Sequence, residues 1–127
     1  MTDFKFAKEC SEKGIEFDYC KDYYFGLKGS SKFKPISWEK KMQLSFPGSY
    51  IFYPNPSEEE LSKRLPSTIC RYDINYYFFI YYDTELSYYY IIYRNDIRGD
   101  LIMETGKTTK ECYQKAIILL NDMELLK

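Results

Sequence analysis

A chain of 127 residues holds one hydrophobic core and leaves no room for a second large domain. Its hydrophobic share of 45% and charged share of 29% are globular values that exclude intrinsic disorder, and a formal net charge of −1 excludes a global field that would draw it to nucleic acid or anionic lipid. The unusual feature is 15 Tyr, which lift the aromatic share to 20% and favour half-buried places such as sheet surfaces and interfaces.

The first predicted element is a helix. Thr2 or Asp3 caps it, Phe4, Phe6, Ala7 and Cys10 give a stripe at helical spacing, and Gly14 is placed to end it in a left-handed conformation. Ile15, Phe17 and Tyr19 then alternate with Glu16 and Asp18, which predicts a short half-buried strand. From Lys21 to Lys41 the texture changes. Gly26, Gly29, Ser30, Ser31 and Pro35 interrupt the segment, which reads as a long loop or an irregular hairpin. Phe46, Pro47 and Gly48 form a turn, and Tyr50, Phe52 and Pro54 a weak extended piece.

The second half is more regular. Ser57 with Glu60 is a capping box that opens a helix carrying Leu61 and Leu65, stopped by Pro66. Every second residue from Tyr72 to Tyr82 is apolar, which predicts one long strand over Arg71 to Asp83. Turns at Asp83 to Glu85 and Asn95 to Gly99 separate it from strands over Ser87 to Arg94 and Asp100 to Glu104, and short turns between sequential strands mean an antiparallel meander. Gly106 ends the sheet, and Thr108 with Glu111 caps a helix to about Glu124 whose Cys112, Ala116 and Leu120 share one face. The fold class is therefore α+β: an antiparallel meander of three strands, or slightly more, packed against two or three helices. It forms a single domain with a less regular half over residues 1–55 and a helix–meander–helix unit over 56–127.

The first two strands of this meander are apolar on both sides, unlike an antiparallel sheet with one wet face. Both faces should therefore be covered, one by helices and the other by the N-terminal half or by another chain. The protein is then a monomer or a homodimer accordingly.

The stretch from Pro56 to Met123 resembles the small phage-associated domain called the ABA sandwich, in which helix, three antiparallel strands and helix follow in order. The likeness rests on Pro56 to Leu61 at the start of one helix, on the paired strands, and on Thr108 to Cys112 leading to Ala116 and Leu120 in the last. The resemblance implies a prophage or mobile-element setting and no catalytic residues.

No His is present, so the commonest general base and metal ligand is missing. Cys10, Cys20, Cys70 and Cys112 lack the short spacing of a zinc site, and the chain has no signal peptide, so reduced and buried thiols in the cytoplasm are expected. No apolar run spans a membrane. Neither a metal nor another cofactor is called for, and no residue is assigned a catalytic role. The one local concentration of charge lies between residues 21 and 41, net +4, where Lys28, Lys32 and Lys34 are interleaved with Tyr23, Tyr24, Phe33 and Trp38. That pattern suits either a single-stranded nucleic acid, by phosphate neutralisation and base stacking, or a protein surface. Near-neutral charge and abundant Tyr favour another protein as the partner, bound and modulated or inhibited by the segment's aromatics or by the sheet residues Tyr77, Tyr81 and Tyr89, with Tyr88 in place of Tyr89 if the register is the other one.

Overall fold

The structure, a computed structural model, describes residues 2–18 and 20–126, which divide into two units, Met1–Glu60 and Leu61–Lys127. In the first unit, helix α1 (Asp3–Glu12) begins where the Thr2 hydroxyl accepts the Lys5 amide at 3.2 Å. Phe6, Ala7 and Cys10 are buried along one stripe. Gly14 ends the helix at φ +72, and the Ile15 amide turns back to the Cys10 carbonyl at 2.8 Å. That return bond is the glycine-ended helix stop the sequence predicts.

The strand expected over Ile15 to Tyr19 does not form in residues 15–18, and Tyr19 lies outside the described residues. Ile15 is spent on the helix stop and is buried, while Phe17 packs against Phe6 with ring centroids 6.3 Å apart. Two inward side chains in a connection mimic a strand's alternation without a neighbour to pair with.

Residues 21–41 resolve into the hairpin alternative. Strand β1 (Asp22–Leu27) pairs antiparallel with β2 (Lys34–Ser37) on one side and with β3 (Tyr50–Pro54) on the other. A short helix, α2 (Trp38–Met42), follows β2 directly, with the Ser37 hydroxyl accepting the Lys40 amide at 3.3 Å. Gly26 is obligatory for the hairpin's return, since a Cβ there would meet the Lys32 carbonyl at 2.6 Å and the Phe33 ring at 2.9 Å. The loop is thus folded back on its own strand. The predicted turn at Phe46 to Gly48 is a single 3-10 turn over Pro47–Ser49.

Helix α3 (Glu58–Arg64) spans the boundary between the units and carries the full capping box: Glu60 N–H donates to Ser57 Oγ at 3.3 Å, and Ser57 N–H donates to Glu60 Oε1 at 3.0 Å. The second unit is a four-stranded antiparallel meander in the order β4 (Thr68–Arg71), β5 (Ile74–Asp83), β6 (Tyr88–Asn95) and β7 (Gly99–Gly106). The long strand expected from Arg71 to Asp83 is therefore two strands. Tyr72 and Asp73 interrupt it with φ of +53 and +62, the two left-handed residues of a mirror-image turn. Such turns favour Asn-Gly, so a Tyr there hides the turn inside an apparently regular alternation.

The other two turns follow their polar residues. Asp83 Oδ1 accepts the amides of Glu85 and Leu86, and Asn95 Oδ1 accepts those of Ile97 and Arg98. Helix α4 (Thr109–Asp122) is capped by the Thr108 hydroxyl, which accepts the Glu111 amide at 3.1 Å, and it packs on β6 and β7. Cys112, Ala116, Ile117 and Leu120 are fully buried, as are Ile91 and Tyr93 of β6. Tyr93 satisfies its hydroxyl by donating to the Pro66 carbonyl at 2.6 Å. At the seam, a Cβ on Gly106 would meet Cys112 N at 2.9 Å and its Sγ at 3.2 Å.

Two substitutions test this account. Gly106→Ala is expected to lower the unfolding free energy by about 1–3 kcal/mol in urea titration, because the first turn of α4 must shift. Tyr72→Asn is expected to raise it by roughly 0.5–1 kcal/mol, since Asn adopts the left-handed region more readily than an aromatic residue.

Candidate functional site

The basic segment is dispersed by its own hairpin. Lys28 and Lys32 lie in the β1–β2 loop and Lys34 starts β2, all three exposed. Phe25 pairs with Lys34 and Asp22 with Ser37, so about 10 Å of strand separates the lysines from Trp38. Phe33 and Tyr24 are engaged elsewhere: Phe4 packs edge-on to Tyr24 at 5.3 Å and against Phe33 at 5.1 Å, and Phe33 also meets Tyr53 at 5.1 Å. Tyr23 carries Lys41 Nζ over its ring at 4.1 Å. Its hydroxyl is raised from the ordinary value by burial first, and then by the nearby Cys20 and Glu60.

Trp38 alone of these aromatics is half exposed, and it borders a groove of about 680 Å3. Three carboxylates line that groove with it, those of Asp18, Asp22 and Glu39, against the single amine of Lys21. The hairpin thus holds Lys28, Lys32 and Lys34 apart from Trp38, while Lys21, Lys40 and Lys41 stay on the tryptophan's side.

The sheet of the second unit brings a different group together. Strand register puts Tyr77 opposite Arg94, Phe79 opposite Ile92, Tyr81 opposite Tyr90 and Asp83 opposite Tyr88, all on one face. Phe78 with Tyr93, Ile80 with Ile91 and Tyr82 with Tyr89 take the other face. Of Tyr89 and Tyr88, Tyr88 shares the face of Tyr77 and Tyr81, while the ring of Tyr89 lies 4.7 Å from Tyr82 on the opposite side of the sheet. The residue that joins Tyr81 is Tyr90, stacked at 5.5 Å with planes 18° apart. Register was the missing signal, since a run of three tyrosines at 88–90 offers two possible partners to a strand of period two.

This is the face for which the sequence predicts a cover, by the N-terminal half or by another chain. Tyr77 is 51% exposed, Phe79 50% and Tyr81 47%. Opposite Phe79 on β6, Ile92 is 1% exposed. Half-exposed rings of this size present on the order of 300 Å2 of aromatic surface, comparable to the largest apolar patch of an ordinary monomer. The charged groups stand at the ends. Arg94 Nε donates to Asp100 Oδ1 at 2.8 Å at one end, and Asp83 caps its turn at the other.

The nucleophiles are occupied by structure. Cys20 Sγ donates to the Asp22 carbonyl at 2.9 Å and Cys112 Sγ to the Tyr89 carbonyl at 3.1 Å. Burial is the main cause that pushes both thiols up to about 11; Glu60 adds to it at Cys20. Glu60 Oε2 is itself buried without a hydrogen-bond partner among the described residues. Cys10 is buried too, whereas Cys70, on edge strand β4, is exposed, against the expectation of four buried thiols. No grouping of His, Cys, Asp and Glu able to hold a metal occurs among the described residues, and no helix there is long and apolar enough to cross a membrane. Comparison with protein-family models, with curated proteins and with solved structures finds no match to this chain.

Thiol chemistry follows from burial. Ellman's reagent at pH 8 should modify Cys70 alone in the folded protein, and Cys70→Ser should remove that reaction. Cys20 and Cys112 stay protonated in the folded state to about 11, against an ordinary value of 9.0. Their stabilising contribution is full below pH 9 and is lost as the pH rises towards 11, which urea titrations across that interval will register as a falling midpoint.

Proposed function

We propose that this chain is a non-enzymatic protein-binding module and that its interface is the open face of the β4–β7 sheet. The observation that carries the reading is the row Tyr77, Phe79 and Tyr81, each about half exposed on one face of the sheet, where the other face buries Ile91 and Tyr93 and leaves Tyr82 half exposed at its end. Aromatic residues with a flanking Arg are the residue types enriched where proteins bind one another, and Tyr supplies contact area with few rotamers to freeze. The face holds no lysine, and its one cation, Arg94, is tied to Asp100, so it offers little to a phosphate backbone. A non-enzymatic role is supported by the hydroxyls of Ser37, Ser57 and Thr108, which serve as helix caps, and by two thiols held in hydrogen bonds. Combined with the resemblance to a phage-associated domain, this supports an accessory protein of a prophage or mobile element. It would act in the cytoplasm by occupying a host or phage protein.

The test compares the wild type with two variants: Phe79→Thr plus Tyr81→Thr on the sheet, and Lys28, Lys32 and Lys34 all changed to Gln. A partner captured from host extract and then titrated in purified form should bind the sheet variant at least 30-fold more weakly, the effect of losing a central aromatic contact. The lysine variant should bind as the wild type does. Tight, salt-sensitive binding of a single-stranded oligonucleotide that disappears in the lysine variant would instead establish the nucleic-acid reading.

A further inference from the structure

We draw no further inference here: the strongest candidate, the open face of the β4–β7 sheet around Tyr77, Phe79 and Tyr81, belongs to the site already described, and nothing in the structure shows what covers it.

Discussion

One helix about 10 Å wide cannot cover a sheet four strands broad, and from one position it can reach only one side. In the second unit α4 lies on β6 and β7, held close by Gly106 against Cys112, where even a methyl group would collide with the helix backbone. That seam decides which half of each strand becomes core. Ile91, Tyr93 and Ile102 turn towards the helix and are buried, and Tyr93 closes the arrangement by donating its hydroxyl to Pro66. Because strands alternate, the same choice assigns Tyr77, Phe79 and Tyr81 to the side the helix does not reach. Core and open face are set by one register, and a slip of a single residue would exchange them.

Much of this was legible in the sequence wherever one side chain determines the local backbone. Thr2, Ser57 and Thr108 cap helices where their positions say they should, and Asp83 and Asn95 hold the turns that bear their names in the pattern. The antiparallel order also followed, with four strands rather than three. What escaped depended on partners distant in sequence. Ile15 and Phe17 alternate like a strand but find no strand to pair with, and Phe17 meets Phe6 instead. Tyr72 and Asp73 adopt left-handed backbone that their identities do not announce. The choice between Tyr89 and Tyr88 as the tyrosine that shares the face of Tyr77 and Tyr81 needed the pairing of Asp83 with Tyr88, which only the register provides.

The lysine-rich segment shows a different way in which local composition misleads. Counted along the chain, residues 21–41 combine net positive charge with aromatic rings. The hairpin then sends Lys28 and Lys32 to its loop and Trp38 to its base, beside Asp18, Asp22 and Glu39. Phe33 and Tyr24 turn to Phe4, and Tyr23 takes the ammonium of Lys41. The rings that looked available to bases are engaged within the unit, and the lysines that looked like phosphate ligands stand apart from the remaining tryptophan. A charge and a ring act together on a ligand only when they share a surface, so the separation counts for more than the sum.

The open face differs from that segment because its rings do share a surface. Its composition is also suited to being both wet and dry. A tyrosine left half exposed keeps its hydroxyl in water while its ring packs on a neighbour, as Tyr81 does on Tyr90. An isoleucine or phenylalanine at every position would drive the face towards permanent burial or aggregation. Here Tyr77 and Tyr81 flank a single Phe79 along β5, beside the buried Ile92 of β6, so the row is least polar at its centre. That gradient lets a partner gain from excluding water at the middle without stranding polar groups at the edge. A surface built this way is expected to bind and release, which is what a module that works by occupying another protein requires.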